Sequence, residues 1–127
     1  MATIDPMPQP PTVQIFGLAN DQATRAAERF FKERRVAISI VDLRRKPIAR
    51  GELQRFVERL GARVLADTEG RAWRDAGLSY LTLEDAELAE RLLADQRLLR
   101  LPLVRAGNAF SAGRDEAAWK AMIARSG

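Results

Sequence analysis

From Thr12 onward the chain alternates short apolar runs with longer stretches of helical spacing. Val13-Gln14-Ile15-Phe16-Gly17 is an apolar run ended by a glycine, which predicts a buried strand. A helix should follow, because Asn20, Asp21 and Thr24 are N-terminal capping types, with Ala23, Ala27, Phe30 and Phe31 on one side and Arg25, Glu28, Arg29 and Lys32 on the other. Val36 to Leu43 is rich in β-branched residues and free of Gly and Pro, so it reads as a second strand, parallel to the first in a right-handed β-α-β unit. Ala49 to Leu60 returns to helical spacing through Leu53, Phe56, Val57 and Leu60, stopped by Gly61. Two short helical turns are expected at Ala62–Ala66 and Ala72–Ala76, the second closed by Gly77. Thr82 is expected to cap a longer helix with Glu84 and Asp85 in its first turn and Leu88, Leu92 and Leu93 inward. Leu98–Val104 and Ala109–Ala112, joined through Gly107-Asn108, predict an antiparallel hairpin. A last helix should run from about Asp115 to Ala124 with Ala118, Met122 and Trp119 facing inward. This order predicts an α/β, thioredoxin-like fold: a four-stranded mixed sheet made of a β-α-β half and a β-β-α half, with a helical insert between them.

The 127 residues, 46% hydrophobic and 30% charged, suit one domain. Residues 1–11 hold four of the six prolines and are expected to be a disordered leader, with the domain over 12–127. The chain has no Cys and no His. Disulfides, thiolate metal sites and thiol nucleophiles are therefore excluded for its own side chains, as is the commonest general base at neutral pH. No metal site is expected. No run reaches the roughly 18 apolar residues of a membrane span, and the start lacks an apolar signal core, so a cytoplasmic protein is expected.

Net charge is +4, unevenly spread: Arg25 to Arg59 holds eleven basic and five acidic residues. Such a surface can steer an acidic partner, protein or nucleic acid, although a solvated basic face is the simpler reading for an Arg-rich chain. Aromatic residues are not interleaved with the cations for base stacking, so direct nucleic-acid binding is not expected. Trp73 and Trp119 are expected in packing roles.

Several ordered motifs together carry a family resemblance. Phe16-Gly17-Leu18-Ala19-Asn20-Asp21-Gln22-Ala23-Thr24-Arg25, Val41-Asp42-Leu43-Arg44-Arg45-Lys46 with Pro47 and Glu52-Leu53, Glu69-Gly70-Arg71-Ala72-Trp73-Arg74, Leu101-Pro102-Leu103-Val104 and Ala112-Gly113-Arg114 fall in sequence along the chain. From Thr12 to about Ile123 this resembles the arsenate reductase (ArsC-like) family, which includes Spx-type transcription regulators and small thiol reductases. The resemblance implies a catalytic Cys at the start of the first helix, and Asp21 stands there. Where some members carry a second Cys, this chain has Thr24, followed by the basic Arg25. The resemblance also places oxyanion-binding arginines at the positions of Glu69 and Leu101, and a cis peptide before Pro102. The Gly-Arg element is intact at Gly113-Arg114.

A Cys at a helix N-terminus works because the dipole and free amides stabilise its thiolate. Asp21 retains the electrostatic fit of a cap and loses that reaction. A role for it as nucleophile or general base would need an activator. Glu69 adds a negative charge and Leu101 removes a forked donor, so the pocket formed by Asn20, Asp21, Thr24, Arg25, Glu69, Leu101, Pro102 and Arg114 is expected to be vestigial, with Thr24 an ordinary first-turn residue and Arg114 exposed or a residual anion contact. Two functions follow as expectations: a non-catalytic binding or regulatory module with an acidic protein partner and no cofactor, or a glutathione-dependent enzyme whose cofactor supplies the thiol beside Pro102.

Overall fold

The computed structural model describes residues 12–124; the leader expected over 1–11 lies outside them. Strand β1 (Val13–Gly17) leads to helix α1 (Gln22–Glu33) and strand β2 (Ile38–Asp42). Helices α2 (Arg50–Leu60), α3 (Ala62–Leu65), α4 (Arg71–Asp75) and α5 (Asp85–Ala94) form the insert, with 3₁₀ turns at Leu78–Tyr80 and Gln96–Leu98. Strands β3 (Leu103–Ala106) and β4 (Ala109–Ala112) and helix α6 (Glu116–Ala124) complete the chain. The sheet order is β2-β1-β3-β4, with β1 parallel to β2 and antiparallel to β3, and β3 antiparallel to β4. This is the mixed thioredoxin-like sheet that the order of apolar runs predicts.

Each face of the sheet is covered by its own apolar cluster. Phe16, Leu53, Phe56, Leu65, Trp73, Leu88, Leu92 and Leu103 pack on the insert side, and Ile15, Phe30, Phe31, Val104, Trp119 and Met122 pack under α1 and α6. Strand alternation divides the two: Ile15 turns to the second cluster while its neighbour Phe16 turns to the first. Phe16 meets Phe56 edge to face at 5.8 Å, and Trp119 lies 5.5 Å from Phe30, so aromatic pairs anchor a helix on each face. Trp73 and Trp119 are both buried, as expected.

Three elements start or end more than one residue from where the sequence places them. The second strand is Ile38–Asp42, shorter at each end than Val36–Leu43, because Arg35 adopts a positive φ of 58° and Asp42 O accepts the N–H groups of Arg45 and Lys46 in a turn. Helix α5 starts at Asp85 with Glu84 at the cap and no side-chain cap bond, so Thr82 does not cap it. Asp85 instead accepts the Ala62 N–H through Oδ1 at 2.9 Å, capping α3, whose own cap position, Gly61, has no side chain. The third strand begins at Leu103 and extends to Ala106, whereas Leu98 ends a 3₁₀ turn and the Leu101–Pro102 peptide is cis. Leu99 makes only an isolated bridge to Ala66. The apolar character of Leu98–Leu101 reflects burial under the insert, not strand pairing.

Candidate functional site

Three loops converge at one end of the sheet: the turn from β1 into α1, the 67–70 turn before α4, and the segment from Gln96 through the cis peptide. Gly17 ends β1 where the chain passes against α1, and a Cβ there would lie 2.3 Å from Thr24 Oγ1, so only glycine permits the approach. Asp21 caps α1 in extended conformation, and its Oδ2 accepts both the Thr24 N–H at 2.8 Å and the Thr24 hydroxyl at 2.7 Å. The Thr24 oxygen lies 3.4 Å from the Leu18 N–H, and the residue is only 2% exposed. Thr24 is therefore a buried partner of Asp21, not an ordinary first-turn residue. A hydrogen bond joins the two positions, three residues apart, where the resemblance places two thiols.

On the other side, Gly113 has a φ of 74° and donates its N–H to Arg100 O at 3.1 Å and Pro102 O at 3.0 Å. A Cβ at Gly113 would meet Arg100 Cδ at 2.7 Å, so the arginine stem lies across this glycine. Its Nη2 donates to Ala66 O at 3.3 Å. These elements enclose a cleft of about 580 Å³, lined by Leu18, Asp21, Asp67, Glu69, Gln96, Arg97, Leu99, Arg100, Leu101, Gly113 and Arg114. A second cleft of about 580 Å³ shares the wall of Leu18, Gln96, Arg97 and Leu101 and continues over Leu43, Pro47, Leu93 and Ala94. Both are within the roughly 300–1,000 Å³ usual for small-ligand sites.

Of the predicted site residues, Asp21, Glu69, Leu101 and Arg114 line the charged cleft. Asn20 stands outside, exposed, with Oδ1 at 3.5 Å from Arg44 Nη2. Arg25 is exposed on α1 beside Arg29 and Lys32, in a separate shallow groove. Thr24 and Pro102 are buried beneath the site. Sequence reasoning missed Asp67, Arg97 and Arg100. Arg100 precedes the Leu-Pro pair by one residue, and that one-residue offset was the available signal.

The electrostatics depend on which charges are already paired. Arg97 Nε and Nη2 grip Asp95 at 3.0 and 2.9 Å, and the hydrogen bonds hold the Asp95 carboxyl below its ordinary value and the Arg97 guanidinium above its own. Arg114 Nη2 donates to Glu116 at 3.1 Å. Only Arg100 among the three guanidiniums lacks a carboxylate partner, while Asp67 and Glu69 have no cation paired with them among the described residues. Counting Asp95 and Glu116 with the lining, five carboxylates face three guanidiniums. Among the described residues, no group of three or more acidic side chains is arranged to hold a metal ion. No described helix is long and apolar enough to cross a membrane.

Known structures share this arrangement of elements. The YffB (PA3664) protein superposes with a TM-score of 0.80 at 21% identity, covering 87% of this chain and 98% of that one. An ArsC family related protein from Bacteroides fragilis gives 0.80 at 15% identity, covering 90% and 99%. The arsenate reductase from Vibrio cholerae gives 0.75 at 17% identity, covering 87% and 97%. No curated protein matches by sequence. The sequence profile of the ArsC family matches residues 16–122, from the end of β1 into α6, and the chain belongs to the ArsC family.

Proposed function

We propose that this protein is a non-catalytic member of the ArsC family, a binding module that recognises an acidic protein partner through its basic surface. The observation that carries the reading is the state of the α1 N-terminus. A protein carboxylate, Asp21, stands there with a fixed charge and takes the Thr24 N–H that an oxyanion would use. Asp67 and Glu69 face the same cleft, so an incoming oxyanion meets repulsion that Arg100 alone does not offset. With no cysteine in the chain, no side chain of its own can supply a thiolate.

The test restores the chemistry stepwise. Asp21→Cys alone should show neither arsenate reduction with added thiol nor a depressed thiol pKa in iodoacetamide alkylation against pH. Recovery should require Arg at positions 69 and 101 as well. Sulfate titrated into the unaltered protein should leave the α1 amides unshifted. Saturable shifts at Gln22 to Thr24, or reductase activity from Asp21→Cys alone, overturn the reading.

One observation favours a second reading, a glutathione-dependent enzyme. The main-chain N–H and C=O of Leu101, beside the cis peptide, have no hydrogen-bond partner among the described residues, and Leu101 lies on the wall shared by both clefts. A cofactor peptide could pair there and bring its own sulfur. Glutathione shifting the Leu101 and Leu103 amides saturably supports this reading, and unchanged spectra remove it.

A further inference from the structure

We propose that the outer edge of β2 is a docking site for an acidic, extended segment of a partner protein, which adds to the sheet as a fifth strand. This rests on the binding-module reading and supplies its mode and its ligand chemistry. Strand β2 is one of the two edge strands of the sheet, paired only with β1. At its start the Val13 N–H donates to Ala37 O at 3.0 Å, and past its end the Leu43 N–H donates to Gly17 O at 2.9 Å. A parallel ladder uses alternate residues, so the odd-numbered residues of β2 face β1. The N–H and C=O groups of Ile38 and Ile40 therefore point away from the sheet, with no described partner. Ser39 is exposed, and the Ile40 side chain is 44% exposed, an apolar contact available beside the open edge.

Charge decides what can occupy this edge. Arg34 and Arg35 precede the strand and Arg44, Arg45 and Lys46 follow it, all exposed. Among the described residues, none of the five is in an ion pair: Arg34 lies over the Phe30 ring and bonds its carbonyl, and Arg44 reaches Asn20. The acidic neighbours are Glu33 and Asp42, and the Asp42 carboxylate accepts the Arg44 N–H. Cations at both ends act against self-association, because antiparallel pairing of two copies sets Arg34 and Arg35 of one against Arg44, Arg45 and Lys46 of the other. The same cations favour an incoming strand with carboxylates along its length. Main-chain bonds then supply affinity, and the flanking charges select the partner and its approach.

The probe is a capped peptide of alternating Glu and Val, about six residues long, the usual length of a strand. Its addition should slow amide exchange at Ile38 and Ile40 by about tenfold or more, since newly bonded edge amides exchange only on opening. The Ser39 and Val41 amides, already turned to β1, are the internal reference and should not change. N-methylation of the peptide at the positions facing the edge should abolish the protection. Arg44→Glu with Arg45→Glu, both at exposed sites, should weaken binding by about tenfold or more and reduce its salt dependence.

Peptide binding without protection at Ile38 and Ile40 overturns strand addition, although the binding-module reading then survives. Failure of the acidic peptide while a single-stranded oligonucleotide protects these amides overturns the proposal in favour of nucleic acid. Protection without any peptide, together with dimers in sedimentation, overturns it in favour of self-pairing. Failure of the binding-module reading shows separately, as sulfate shifts at α1 or activity from Asp21→Cys.

Discussion

At the start of α1, two hydrogen bonds join Asp21 and Thr24, and the cap they form stabilises the helix. Asp21→Ala should cost about 1 kcal/mol by urea denaturation, the usual loss for an N-cap. Gly17→Ala should cost more, about 1–3 kcal/mol, because its Cβ would press on Thr24 and the strand cannot move without shifting the sheet. Asp21 as a cap was readable from residue type, but the burial of Thr24 was not, since it depends on β1 passing behind it. Asp95 gives the clearest dependence on pH. Arg97 lowers its pKa from the ordinary 3.8, so the stability it contributes is present above about pH 4 and is lost as pH falls through the folded-state value. Asp95→Asn should therefore lower the midpoint of urea unfolding near neutrality and converge with the parent at the acid end.

Among the elements, the shortest helices show how far local pattern falls short. Helix α3 has four residues and a glycine at its cap, too little to persist alone. It exists because Ala62 and Leu65 are buried and because Asp85, from the first turn of α5, accepts the Ala62 N–H. Asp85→Ala should cost about 1 kcal/mol and should speed exchange at Ala62 far more than at Leu53 of α2, as expected for a cap lost from one element. Helices α1 and α2 were legible because each repeats apolar residues at helical spacing on one face, Ala27, Phe30 and Phe31 in α1 and Leu53 and Phe56 in α2. The strand expected over Leu98–Val104 was not recoverable in the same way. A continuous apolar run reports burial, and only the neighbours decide whether that burial is beside a strand or beneath a helix.

For the whole molecule, the sheet separates two apolar clusters, with Trp73 in one and Trp119 in the other. Strands β1 and β3 contribute to both, so neither cluster can open while the other persists. Trp73→Phe and Trp119→Phe, each leaving one reporter, should give coincident unfolding when followed by fluorescence and by circular dichroism. Separate midpoints for the two faces would contradict this coupling. The end of β2 reaches this end of the molecule too, since Leu43 and Arg44 line the second cleft, which shares a wall with the charged one.

The order of strands and helices, the α1 and α2 core faces, the lack of any thiol and the carboxylate at the α1 cap were determined by the amino-acid sequence alone. Each rests on residue type or on spacing within one element, and local geometry translates those directly into structure. Tertiary structure alone decided that Arg97 and Arg100 join the cleft, that Arg97 and Arg114 are already engaged by neighbouring carboxylates, and that Asn20 and Arg25 stand outside it. The physical reason is that a site's charge depends on which side chains the converging loops bring within hydrogen-bonding distance. The direction in which a guanidinium on a long flexible stem points is set by partners far away in the chain.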